Sequence, residues 1–172
     1  TGQRPDQTGS VSSVLIYLAG YGLATIGFFM VILMVRRAGG ESTEIDSWAG
    51  LGRRHPMLGA LIVLFMLSFA GIPATAGFTG KLFVFLAGWR GGYAWLVLLG
   101  VIFSLVAAYF YLHVIYVVFF KTPGEQAQGV EVGDPSVGGW IVLVVCALGT
   151  LILGLYPQPI IEMVNHASVF LR

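Results

Sequence analysis

Residues 71–81 read GIPATAGFTGK, inside an apolar stretch that runs from Pro56 to Trp89. A proline, three glycines and a full charge therefore stand where a membrane helix should meet lipid. At about 1.5 Å per residue, an unbroken helix over this stretch would be roughly 50 Å long, against a hydrocarbon thickness of about 30 Å. Pro73 removes a backbone donor and clashes with the carbonyl of Phe69. Gly71, Gly77 and Gly80 each weaken a helix by about 1 kcal/mol relative to alanine. The spacing predicts a discontinuous helix: a first half ending near Ala70, an irregular connection through Thr75, and a second half resuming near Thr79. Backbone groups freed at such depth are tolerated only where protein or a water-filled cavity receives them.

Composition supports a membrane setting. Of 172 residues, 57% are hydrophobic and 10% charged, whereas soluble domains carry about 25% charged residues. Mean hydropathy is +0.87. A net charge of +1 provides no basic footprint for nucleic acid. The single cysteine, Cys146, cannot form an internal disulfide and has no Cys or His companions at metal-ligand spacing.

Four apolar stretches each reach the roughly 20 residues needed to cross the hydrocarbon. They cover about residues 11–35, 56–89, 93–120 and 138–156, the second being the broken one, and together they predict an all-α integral membrane protein. The opening TGQRPDQTGS has no basic n-region or cleavage signal. Residues 1–10 read as a polar loop, and the chain as the C-terminal piece of a longer membrane protein. After the fourth helix, Pro157 and Pro159 forbid continuation, so residues 157–172 form a short tail at the interface or against a neighbour. Loops 36–55 and 121–137 hold Arg36, Arg37, Arg53, Arg54 and Lys121, against Arg4, Arg90 and Arg172 on the other side. The positive-inside rule makes those two loops cytoplasmic.

Lys81 falls about nine helical residues, on the order of 14 Å, from the basic exit at Arg90, too deep for its side chain to reach a headgroup. An ionisable group inside the membrane is a functional hypothesis by default. Burial and the positive end of the second half-helix oppose its charge, while carbonyls at the end of the first half favour it. The bland alternative is a Pro-kinked helix whose lysine rests on a carbonyl or a carboxylate.

Other polar positions carry weaker signals. Tyr17, Tyr21 and Thr25 fall at i, i+4 and i+8, one face of the first helix. They suit either a water network near Lys81 or polar helix packing beside the small residues Gly20, Ala24 and Gly27. Tyr109, His113 and Tyr116 share a face of the third helix, and His113 can donate, accept or titrate, as a proton relay must. His55 and His166 read as loop and interface residues. Neither a metal site nor a phosphate loop, paired-carboxylate site or nucleophile is indicated.

The stretch LSFAGIPATAGFTGKLFVF resembles the broken late helix of the antiporter-like membrane subunits of proton-pumping NADH:quinone oxidoreductase, respiratory complex I, and the N-type branch most closely. YLAGYGLATIGFF in the first helix and GLYPQP after the fourth resemble the same branch in the same order, so the likeness covers essentially the whole chain. The M-type branch tends to carry glutamate where Lys81 stands. The resemblance implies that these helices are the last of about fourteen, arranged as inverted repeats that each contribute a broken helix. It implies proton translocation in a bacterial cell membrane, with Lys81 exchanging its proton with the outer aqueous phase at the end of a line of buried, water-linked lysines. Partners would be neighbouring antiporter-like subunits, other membrane subunits of the complex, lipid, and protons with internal water. NADH, flavin, iron-sulfur centres and quinone would bind other subunits, leaving this chain without cofactors. Two alternatives stay open: a subunit of a multi-subunit cation/proton antiporter, which shares the fold, and a non-transporting membrane scaffold.

Overall fold

The computed structural model describes residues 7–37, 40–41, 44–127 and 129–158. Its first helix, α1, spans Gln7–Met34 and therefore begins within the segment expected to be loop. The first four N–H groups of a helix lack internal partners and tolerate polar surroundings, so the polarity of residues 7–10 did not mark the boundary. A short helix α2 (Leu51–Arg54) leads into α3 (Pro56–Ala70), which starts on proline because its fixed φ and missing N–H suit the first helical position. Then come α4 (Ala76–Arg90), α5 (Ala94–Phe119) and α6 (Val137–Leu155). Ser136 caps α6, its hydroxyl accepting from the Gly139 N–H at 3.3 Å.

Three of these helices are long and apolar enough to cross a membrane, within Ser12–Met34, Ala94–Phe119 and Val137–Leu155. By contrast, α3 and α4 have 15 residues each, about 22 Å apiece, too short for either to span alone.

The all-α expectation needs one addition. Strands β1 (Val35–Arg37), β2 (Gly40–Glu41) and β3 (Val130–Val132) form a small antiparallel sheet in the order β2-β1-β3. It joins the loop after α1 to the loop before α6, with Val35 opposite Val132 and Arg36 opposite Glu131. Strands of two or three residues are too short to show an alternating pattern in sequence. Further ties reinforce the same end of the bundle. The Gly133 N–H donates to the Met34 carbonyl at 2.8 Å and the Gly50 N–H to the Val117 carbonyl at 3.3 Å. Lys121 pairs with Asp46 at 2.7 Å, and Arg53 donates to the Lys121 carbonyl at 3.3 Å. Of the expected tail, residues 159–172 lie outside the described residues.

The helix α1 is the hub, packed against α4, α6 and α3, while α3 also lies along α5. Its stripe of small residues does the packing. Ala24 is fully buried; a Cβ added at Gly20 would sit 3.1 Å from the Ala76 carbonyl oxygen, and one at Gly27 would sit 2.9 Å from the Cys146 Cβ and run into the Phe65 ring. Close backbone approach of this kind is how membrane helices gain van der Waals contact without a hydrophobic driving force. The outer side of α5 exposes Phe103, Leu105 and Val106, an apolar surface suited to lipid or further helices rather than water.

Gly22, in contrast to Gly27, faces open space. Gly27→Ala is expected to destabilise by about 1–3 kcal/mol through overpacking, and Gly22→Ala to be neutral or stabilising by up to about 1 kcal/mol. Thermal midpoints of the detergent-solubilised full-length protein check the pair; equal midpoints would contradict this packing.

Candidate functional site at the helix break

The last four carbonyls of any α-helix lack an internal donor, and at the end of α3 all four find one. The Gly71 N–H donates to the Leu67 and Ser68 carbonyls at 3.0 Å each, and the Ile72 N–H to Leu67 at 3.0 Å. This is a Schellman cap, and it needs a left-handed residue after the helix; Gly71 supplies it at φ +81°, where glycine carries no Cβ penalty. The remaining carbonyls, Phe69 and Ala70, accept from the Lys81 ammonium at 2.8 and 3.2 Å. Continuing the helix would have asked Pro73 to donate to Phe69, and proline has no N–H. Lys81 reaches back from the second half-helix to fill that vacancy.

The connection is shorter than expected. The second half resumes at Ala76, not near Thr79, so the break occupies Gly71–Thr75 while Gly77 and Gly80 are helical. Their role is contact rather than unwinding. Any Cβ at Gly77 would collide with the Ser68 carbonyl, and one at Gly80 would sit 2.9 Å from the Tyr17 Cα. Ser68 is itself buried and accepts from the Gly77 N–H at 3.1 Å, satisfying one of the orphan amides at the start of α4. Thr75 donates its hydroxyl hydrogen to the Ile72 carbonyl at 2.7 Å. Ala74 adopts φ +75°, unusual for a residue with a Cβ and unfavourable by about 1 kcal/mol.

Around the ammonium the setting is polar but uncharged. The third proton of Lys81 goes to the Ser104 hydroxyl oxygen on α5 at 2.8 Å. Among the described residues no carboxylate pairs with Lys81; the ion pair they contain, Lys121 with Asp46, belongs to the loops. The Phe69 and Ala70 carbonyls place the negative end of the α3 dipole beside the lysine's charge. A row of aromatic rings runs beside the end of α3: Tyr17 stacks on Tyr21 (centroids 5.8 Å apart), Tyr21 meets Phe69 at 5.5 Å, and Phe69 meets Tyr111 at 5.4 Å.

Tyr17 and Tyr21 thus lie beside the break. The Thr25 hydroxyl, one turn further along α1, is buried and has no hydrogen-bond partner among the described residues. His113 stands nine residues beyond Ser104 on α5, two and a half turns, and so on the opposite face. There it is exposed and stacked between Tyr109 at 6.3 Å and Tyr116 at 6.2 Å; the fold does not bring it to Lys81. His55 sits exposed between α2 and α3, and His166 lies outside the described residues. No group of three or more His, Cys, Asp or Glu suited to a metal occurs among the described residues. Sequence reasoning missed Ser68, Ser104 and Tyr111. The one available signal was that Ser104 and Tyr111, seven residues apart, share a helix face.

The family profile described as NADH:quinone oxidoreductase/Mrp antiporter, transmembrane, matches residues 6–107, which include the whole break, Lys81 and Ser104. The chain belongs to that family. Within the NADH:quinone oxidoreductase/Mrp antiporter family, it is 68% identical over 172 residues to NADH-quinone oxidoreductase subunit N of Cutibacterium acnes, covering 100% of this chain and 32% of that protein. It is 47% identical over 162 residues to subunit N 3 of Streptomyces griseus, covering 94% and 29%. The chain spans about a third of the length of these curated relatives. Among solved structures, a chain of respiratory complex I from Thermus thermophilus with bound aureothin superposes at a TM-score of 0.74 and 29% identity, over 88% of this chain and 34% of that one. A second chain, from the same organism's complex with bound NADH, gives 0.60 at 19% identity, over 95% and 42%, a likeness of fold alone.

Removing the Ser68 hydroxyl leaves a part-buried amide at Gly77 without its partner. Ser68→Ala is expected to destabilise by about 1–3 kcal/mol, read as a lowered thermal midpoint of the solubilised full-length protein. An unchanged midpoint would mean that this bond does not anchor α4 to α3.

Proposed function

We propose that this chain is the C-terminal part of an N-type, proton-translocating membrane subunit of NADH:quinone oxidoreductase, in which Lys81 carries the proton. The observation behind the reading is the placement of Lys81, partly buried, without a carboxylate partner among the described residues, and held by the open end of a half-helix. A structural lysine is normally neutralised by an acid. One held by carbonyl dipoles and a hydroxyl can lose its proton without leaving a stranded carboxylate behind. The family membership and the similarity to subunit N over the whole chain support the same reading.

On this proposal α3 and α4 together make one span, giving four in this chain, within a parent bundle of about fourteen helices built from inverted repeats. The site lies in the bacterial cell membrane, and loops 36–55 and 121–137 face the cytoplasm. Other complex I membrane subunits, particularly neighbouring antiporter-like ones, flank the exposed apolar face of α5. NADH, flavin, iron-sulfur clusters and quinone occupy other subunits, and redox chemistry there drives proton exchange at Lys81. Tyr17, Tyr21 and Thr25 border the path, and His113 serves at most at its inner approach. The Mrp antiporter half of the family description keeps a cation/proton antiporter subunit as the second reading.

The decisive experiment measures NADH-driven acidification of inverted membrane vesicles carrying the full-length parent, comparing wild type with Lys81→Ala and Lys81→Gln. Loss of the gradient in both variants, with the complex still assembled, is the expected result. A normal gradient with glutamine, which can still donate to the carbonyls, would reduce Lys81 to a helix cap and leave the scaffold reading ahead. Sidedness has its own check: a cysteine placed at Thr122 is expected to react with an impermeant maleimide in inverted vesicles and not in intact cells. The reverse labelling would invert the topology.

A further inference from the structure

We infer that the Ser104 hydroxyl is the partner that follows Lys81 through both of its protonation states, and so makes the lysine's proton removable. The inference deepens the proton-carrying reading of Lys81 and rests on it. As an ammonium, Lys81 needs three acceptors, and it has three: the Phe69 and Ala70 carbonyls and the Ser104 oxygen. As a neutral amine it has two N–H donors and a lone pair that needs a donor. A carbonyl oxygen can never donate. A hydroxyl has one hydrogen and two lone pairs and can reverse its role by rotating about one bond. Of the three partners, only Ser104 can therefore serve both states.

The step balances without any further reagent. Lys81 gives one Nζ proton to a water molecule of the outer aqueous phase, the N–H bond's electron pair stays on nitrogen, and water becomes hydronium. Ser104 then turns its own hydrogen onto the new lone pair and keeps it; no proton leaves the serine. The two carbonyls retain the two remaining Nζ hydrogens throughout, so the half-helix end stays capped. Reprotonation runs the same rotation backwards.

The position of Ser104 fits this role and no other evident one. It stands at an inward position of α5 in an otherwise apolar stretch, Leu96–Ala108, and among the described residues its side chain bonds only to Lys81. The titratable neighbours of the site are Tyr17 and Tyr21 from α1 and Tyr111 from α5. Apart from Lys81, α4 contributes only Arg90 at its far end, α3 carries no titratable side chain, and α6 only Cys146, which packs on Gly27. None of these is hydrogen-bonded to the lysine among the described residues, so none substitutes for the serine.

The test places Ser104→Ala, Ser104→Thr and Ser104→Cys in the full-length parent within its assembled complex, beside Lys81→Gln as reference. The initial rate of NADH-driven vesicle acidification is recorded from pH 6 to pH 9, with complex abundance measured in the same membranes. Alanine is expected to lower the rate by about tenfold, the equivalent of one charge-assisted hydrogen bond, and to displace the pH profile. Threonine, which keeps the hydroxyl, is expected to restore both, while the near-isosteric cysteine, a weak donor and acceptor, falls with alanine. A wild-type rate and profile in Ser104→Ala overturns the inference, as does a threonine variant as impaired as alanine in a fully assembled complex. Should Lys81→Gln itself pump normally, the proton-carrying reading fails and takes this inference with it, whereas failure at Ser104 alone leaves that reading standing.

Discussion

A helix end shut away from bulk water must have its carbonyls satisfied by the protein itself, and this requirement organises the structure. Pro73 ends α3 by withholding the donor that Phe69 would otherwise use, Gly71 turns the chain to close Leu67 and Ser68, and Lys81 supplies the rest. The proline and the lysine, eight residues apart in sequence, are two halves of one device. A charge that would be expensive beside lipid becomes the cap that makes a broken helix tolerable. The same arrangement explains why no acid is needed: two carbonyls at the negative end of a helix and one hydroxyl form a complete ammonium shell.

Holding that shell together requires the two half-helices and α1 to approach almost backbone to backbone. Gly77 lies against the Ser68 carbonyl and Gly80 against the Tyr17 backbone, with Gly20 against Ala76 one turn away. Larger residues at these points would push α4 outward and lift Lys81 from the end of α3. The aromatic row Tyr17, Tyr21, Phe69 and Tyr111 then links α1, α3 and α5 at the end of α3.

The break was legible because its cause is local. A proline and a charge in an apolar run have few physical explanations, and the end of the first half at Ala70 emerged directly from them. The start of the second half was misplaced by three residues, since Gly77 and Gly80 look identical in sequence whether they unwind a helix or let a neighbour approach. Contacts across long separations were illegible for the same reason that the sheet was. Ser104 lies 23 residues from Lys81, and its hydroxyl has no meaning until α5 is packed; β1 and β3 are about 95 residues apart and too short to betray a pattern. His113 is a separate case. Its chemistry suits a relay, and helical phase from Ser104 places it on the face of α5 away from Lys81.

The sheet and the Asp46 pair fasten one end of the bundle, tying together the ends of α1 and α5 and the starts of α3 and α6. Towards the opposite end, the turn at Gly91 and Gly92 joins α4 to α5, and Gly154 of α6 lies against the backbone of Ala74 and Thr75. Lys81 lies about 9 Å along α4 from the five-residue connection, on a helix held by close backbone contact with α1 and α3. A tilt of about 10° would carry the lysine's backbone through about 1.5 Å, more than the stretch a hydrogen bond survives. The ammonium's shell therefore holds α4 to a narrow range of tilt, with sensitivity set by the number of residues between Thr75 and Lys81.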